Sequence, residues 1–121
     1  SRAQRFASVV DALLERTAVK LVFDCYHLGH EPSIVQRIAD LAPRTAIVQL
    51  GDARRPPSGE QDRCPLGEGC LPLADIVAEF QRAGYRGDFD IELLGEEIEV
   101  SDYGALIAQS HRAARGIVGG E

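Results

Sequence analysis

Three short apolar stretches each carry, at or near their end, a side chain able to offer oxygen to a cation. Val19 to His27 reads Val-Lys-Leu-Val-Phe-Asp-Cys-Tyr-His, strand-like up to Asp24, with His27 three positions later. Ala46-Ile47-Val48-Gln49-Leu50-Gly51-Asp52 holds an amide near its end, and Phe89-Asp90-Ile91-Glu92-Leu93 holds a carboxylate. A polar group at the end of a buried strand is costly unless something partners it. Three such strands in one chain therefore point to a shared site at one rim of a parallel sheet. That site reads as a divalent-metal centre with Asp24, Gln49 and Glu92 as ligands. Carboxylate and amide oxygens suit Mg²⁺ or Mn²⁺, with Co²⁺ or Zn²⁺ as softer alternatives. Plainer roles stand beside this one: Asp24 as a helix cap, Gln49 as a satisfied buried amide, Asp90 as a partner for Lys20.

The elements that must position these residues follow from periodicity. Residues 2–16 form an expected helix with Phe6, Val9, Val10, Leu13 and Leu14 on its apolar face. A strand runs from Val19 to Asp24. Pro32 and Ser33 open a second helix, burying Ile34, Val35, Ile38 and Leu41, and Pro43 ends it. Ala46 to Leu50 is the second strand. A long irregular stretch then runs from Gly51 to about Pro72, with Pro56-Pro57, Gly59, Gly67 and Gly69 within it. A loop of that length directly after a ligand-bearing strand is read as functional, a lid over the site. The third helix starts near Pro72 and buries Leu73, Ile76, Val77 and Phe80. Gly84 suits a helix end, Phe89 to Leu93 is the third strand, and Ser101-Asp102 caps a final helix with Leu106, Ile107, Ala113 and Ile117 inward.

The order αβαβαβα means parallel strands with helices packed outside. Three strands would leave both sheet edges open, whereas a closed (β/α)8 barrel needs eight strands and typically ~250 residues. The fold class is therefore α/β, the last three βα units of a TIM barrel. Residues 1–121 are taken as the C-terminal part of a single barrel domain whose N-terminal part is absent from the chain. Such a piece, expressed alone, is expected to associate through its uncovered edges.

Composition narrows the partners. The chain carries 13 Lys plus Arg against 19 Asp plus Glu, a formal charge of −6, which disfavours nucleic acid and anionic membrane as partners. No apolar run approaches the ~20 residues of a membrane span. Cys25, Cys64 and Cys70 have no CxxC spacing, so neither a zinc knuckle nor a disulfide scaffold is indicated, and a cytoplasmic location is expected.

The chain resembles the C-terminal part of the xylose-isomerase-like TIM-barrel superfamily, which includes sugar isomerases and epimerases, hydroxypyruvate isomerase and inosose dehydratase. The resemblance is carried by Phe23-Asp24-Cys25-Tyr26-His27-Leu28, by Val48-Gln49-Leu50-Gly51-Asp52 with Arg55, by Arg63 and Gly67-Glu68-Gly69, and by Gly84-Tyr85-Arg86-Gly87 and Asp90-Ile91-Glu92. It implies that Asp24, Gln49 and Glu92 hold the metal, that His27 lines the substrate pocket and that Arg55 grips the substrate. A further Glu ligand lies on an earlier strand in that family. Gln at position 49, rather than His, is similar to the hydroxypyruvate isomerase and inosose dehydratase branches and unlike the His-rich endonucleases.

The activity so implied is a metal-dependent isomerase or epimerase acting on a small sugar or hydroxy-keto compound through a metal-stabilised enediolate. Glu92 serves as acid and base, and His27 donates a hydrogen bond to a substrate oxygen. A dehydratase of a keto-polyol could use the same parts, and a non-catalytic sugar-binding barrel is the reading from another class. The expected partners are a small-molecule substrate and further copies of the full-length protein, a homo-oligomer, with no nucleic acid and no membrane.

Overall fold

A computed structural model describes residues 8, 9, 11, 12, 15, 18–55, 62–92 and 102–119. The first strand, β1, is Leu21–Asp24, followed at once by a one-turn helix α1, Cys25–Leu28, and by α2, Ile34–Leu41. A 3-10 turn over Ala42–Arg44 leads into β2, Thr45–Leu50. Two short strands, β3 (Asp52–Ala53) and β4 (Arg63–Cys64), precede α3, Leu73–Arg82. Strand β5 is Asp88–Ile91, and α4 is Tyr103–Gly119.

β1, β2 and β5 form one parallel sheet in the order β1-β2-β5, and β3 pairs antiparallel with β4. Parallel neighbours that share a register position share a face. Phe23, Val48 and Phe89 form such a row. Phe23 and Val48 are fully buried, and Phe89 packs on the same core. This face is therefore covered by helices. α2 contributes Ile34, Ile38 and Leu41, and α3 contributes Leu73, Ile76, Val77 and Phe80, at the three- and four-residue spacing of a helical stripe. Both helix faces match the periodicity of the sequence.

Aromatic rings continue this core toward β5. Phe80 meets Phe23 edge-on at 5.0 Å and Tyr85 at 5.3 Å, and Tyr85 meets Phe89 at 5.3 Å. Gly84, at φ 88°, ends α3: its N–H donates to the Gln81 carbonyl and the Tyr85 N–H to the Phe80 carbonyl. That double closure needs a left-handed residue, which explains the glycine.

Several expectations are corrected. The strands begin at Leu21, Thr45 and Asp88, and β5 ends one residue before Glu92; Leu93 lies outside the described residues. The stretch after β2 is not irregular throughout, because it contains the β3–β4 pair. Ile107 is 67% exposed while Ser110 is buried, so the inward stripe of α4 includes Ser110 and leaves Ile107 out. Leu106 is buried as expected, and Ala113 and Ile117 pack at the core's margin. In the first helix the described residues are helical, yet Val9 is 59% exposed. Asp11 of that helix lies 3.6 Å from Arg37 of α2. Phe6, Val10, Leu13, Leu14 and Ser101 lie outside the described residues. Asp102 does cap α4, accepting from the Ala105 N–H at 3.0 Å.

Candidate metal and substrate site

The sheet face away from the helices carries the ligand candidates. Asp24 pairs in register with Gln49, and Gln49 with Asp90. These three therefore form one row, on the face opposite to Phe23, Val48 and Phe89. Glu92 lies two residues beyond Asp90, so it shares the face, and its N–H donates to the Leu50 carbonyl at 3.0 Å, continuing the ladder past the strand's end. The offset has a geometric reason. In an eight-stranded barrel of shear eight, the register slides one residue per strand. Side chains at one height on strands two apart thus differ by two register positions, which relates Asp24 to Asp88 or Glu92. Of these, Glu92 is at the C-terminal rim, as is Asp24. Asp24, Gln49 and Glu92 are all half-buried.

Asp24 also has local work. Its Oδ1 accepts from the Tyr26 N–H at 2.9 Å, capping α1, and its Oδ2 lies 3.8 Å from His27 Nε2. The helix cap and the ligand reading are thus compatible, since a carboxylate has lone pairs to spare. His27 is half-exposed and its ring stands edge-on to Tyr26 at 5.2 Å. Among the described residues no three His, Cys, Asp or Glu side chains cluster closely enough to hold a metal; the candidate set has two carboxylates and one amide.

Residues 52–53 and 62–71 build a wall beside this row. Asp52, 2% exposed, accepts four backbone N–H bonds: from Ala53 at 2.9 Å, Gly67 at 2.9 Å, Gly69 at 3.1 Å and Leu71 at 3.3 Å. Arg55 is held by the buried Asp62, Nε to Oδ1 at 2.8 Å, with its own side chain 69% exposed. The structure thus places Arg55 on the solvent side of that pair. Arg63, part of the resemblance but given no role by it, is a buried cation at the rim. It is 3% exposed, its guanidinium carbon 3.9 Å above the Tyr26 ring. A Cβ on Gly51 would stand 3.1 Å from Arg63 Nη1 and 3.5 Å from the Glu92 carbonyl. Arg63 therefore lies where the ends of β1, β2 and β5 meet. No sequence signal separates it from Arg54 and Arg55, because its burial depends on the β3–β4 pairing.

His30, given no role from sequence, has a buried Nε2 with no hydrogen-bond partner among the described residues. Burial lowers its affinity for a proton, opposed by the carboxylates of Asp52, Asp62 and Glu31. Burial also pushes the Cys25 thiol well up, with Asp24 and Asp52 adding to it, and Cys64 up to about 11 with Asp52 as the next cause. Neither thiol is poised as a nucleophile. A cleft of about 720 Å³ lies at the other end of β5, against α4, lined by Asp88, Phe89, His111 and Arg115 among others; it does not touch the ligand row.

The family model described as the xylose isomerase-like TIM barrel matches residues 1–116. The chain belongs to the xylose isomerase-like TIM barrel family. Among solved structures, an IolI protein with a bound zinc atom superposes with a TM-score of 0.74 at 18% identity, covering 84% of this chain and 38% of that one. A protein of Sinorhizobium meliloti 1021 superposes at 0.72 and 21% identity, covering 82% and 38%. An L-ribulose 3-epimerase superposes at 0.71 and 20% identity, covering 98% and 41%. The chain thus spans about two-fifths of the length of the barrels it matches. Its parallel sheet with outer helices is the expected portion of the TIM barrel, three βα units. No curated protein matches it. No helix among the described residues is long and apolar enough to cross a membrane.

Proposed function

We propose that the barrel to which this chain contributes is a divalent-metal-dependent isomerase or epimerase of a small sugar or hydroxy-keto compound. One observation supports the reading: Asp24 and Gln49 pair in register at the C-terminal rim, and Glu92, its N–H on the Leu50 carbonyl, follows at an offset compatible with barrel shear. The likeness to an L-ribulose 3-epimerase and to a zinc-binding IolI protein supports the same class. The donor set fits a divalent ion, since Asp24 and Glu92 bring two negative charges and Gln49 a neutral oxygen. A divalent ion held there supplies Lewis-acid polarisation of neighbouring carbonyl and hydroxyl oxygens.

This chain's own residues do the rest. The Glu92 carboxylate, at the rim, takes a proton from the carbon beside the carbonyl and returns it to the neighbouring carbon; in an epimerisation the Glu of an earlier strand, opposite Glu92, delivers the proton to the other face. His27, held near Asp24, donates a hydrogen bond to a substrate oxygen. Arg55, braced by Asp62, reaches for a distal hydroxyl or carboxylate from the solvent side. The test is solvent-deuterium incorporation into a panel of ketoses and small hydroxy-keto acids by the intact protein with Mn²⁺. Incorporation that falls by about 10²-fold or more in Glu92→Gln, with Mn²⁺ still bound, is the expected result. Incorporation unaffected by Glu92→Gln would remove Glu92 as the base.

A further inference from the structure

We infer that Asp52 is a positioning residue of the site, a clamp that fixes residues 67–71 and the β3–β4 pair as a wall beside it. The role deepens the proposed site reading, since a wall has meaning only beside a site. The observations are local and independent of any ligand. One buried carboxylate, three residues past Gln49, gathers the N–H groups of Ala53, Gly67, Gly69 and Leu71. Both oxygens are used: Oδ1 takes Ala53 and Leu71, and Oδ2 takes Gly67 and Gly69. Charge-assisted bonds of this kind are the strong ones, and four of them on a single side chain tie positions 67–71 to the end of β2.

What the clamp holds is the β3–β4 pair. The Cys70 N–H donates to the Ala53 carbonyl at 2.7 Å, and Asp52 and Ala53 pair with Cys64 and Arg63. Arg63 is thereby set over Tyr26, in the helix that Asp24 caps, and against Gly51. The wall therefore connects mechanically to two of the ligand-bearing strands. The glycines confirm how close the fit is. A Cβ on Gly69 would collide with Asp52 Oδ1 and the Ala53 carbonyl. Gly67 has φ 85°, which side chains rarely adopt.

The test uses the intact protein and two variants that attack the clamp from opposite sides. Asp52→Asn keeps the shape but replaces one acceptor oxygen by a donor, which must face two of the four N–H groups. Gly69→Ala leaves Asp52 in place and wedges the loop away. Hydrogen exchange is followed by mass spectrometry for 64–72 and for 45–50, and the Arg63 Nε–H resonance by NMR, because the Tyr26 ring shifts it. In either variant, exchange over 64–72 is expected to rise about tenfold, the worth of roughly one lost hydrogen bond, while 45–50 stays protected and the Arg63 resonance moves toward that of free arginine. Asp52→Asn that fails to fold leaves Gly69→Ala to decide by the same readouts. Unchanged exchange over 64–72, an unmoved Arg63 resonance, or equal acceleration everywhere overturns the inference; in the last case Asp52 merely holds the fold. Mn²⁺ titration of the unsubstituted protein separates the two readings: no binding sinks the metal site and leaves the exchange result standing.

Discussion

Gly51→Ala probes the junction where the three strand ends meet. The new methyl would stand 3.1 Å from Arg63 Nη1, 3.3 Å from Tyr26 Cβ and 3.5 Å from the Glu92 carbonyl. The first two are tighter than ordinary van der Waals contact, so a neighbour must yield by a few tenths of an ångström. None is free to do so cheaply. Tyr26 is fully buried, Arg63 is 3% exposed, and the Glu92 backbone is tied to Leu50 by a 3.0 Å bond. Overpacking of a tight site costs ~1–3 kcal/mol. Against that, alanine removes freedom from the unfolded chain, a gain of ~0.4–1 kcal/mol. The net expectation is a loss of about 1–2 kcal/mol, or a fall in Tm of about 2–8 °C for a barrel-sized domain. Differential scanning calorimetry of the intact protein measures it. Gly104→Ala is the control, being exposed on α4 with only Asp102 Oδ1 near, at 3.3 Å; helix propensity should raise stability there by up to ~1 kcal/mol. A Tm unchanged or raised by Gly51→Ala would refute the packing of Arg63 and Tyr26 against the end of β2.

Other outcomes follow from the same geometry. Asp24→Asn keeps the oxygen that caps Tyr26, whereas Asp24→Ala loses it. Without metal, chemical denaturation should therefore show the alanine variant weaker by ~1 kcal/mol and the asparagine variant near wild type, while both lose Mn²⁺ affinity. His30 binds a proton less readily folded than unfolded. Its contribution to stability is thus full above the ordinary histidine value of 6.5 and is lost as pH falls through the lowered folded value. His30→Asn should flatten the stability profile between the ordinary and the lowered value, and a profile identical to wild type would exclude His30 as its source. Cys70 is exposed while Cys25 and Cys64 are buried with raised thiol pKa values. Thiol titration at mild alkaline pH should accordingly find one fast cysteine, the other two reacting only on unfolding.

Much of this was legible in the sequence, for identifiable reasons. Strands β1 and β2 are near-continuous apolar runs, as strands buried on both faces of a barrel sheet are, and such runs survive any uncertainty about partners. The stripes of α2 and α3 were visible because both pack fully onto that sheet. Val9 and Ile107 misled because periodicity marks an apolar side without saying what lies against it. Asp52, Asp62 and Arg63 were the least legible. Their roles arise from a two-residue strand pairing and from backbone N–H groups as far as 19 residues away, and those carry no side-chain signature. An acidic residue just after a strand, followed by Gly67-Glu68-Gly69, was the sole hint. Arg55 was found at its expected place in the chain, yet its pairing with Asp62 was not foreseen, because nothing in the spacing reveals that Asp62 is buried.

The central claim is that three oxygens far apart in sequence meet around one cation. Anomalous scattering from crystals of the intact protein soaked in Mn²⁺ tests it most directly. The account expects one strong peak at about 2 Å from carboxylate oxygens of Asp24 and Glu92 and the amide oxygen of Gln49. A peak coordinated elsewhere, or these three side chains refined with their oxygens on no common ion, would contradict it.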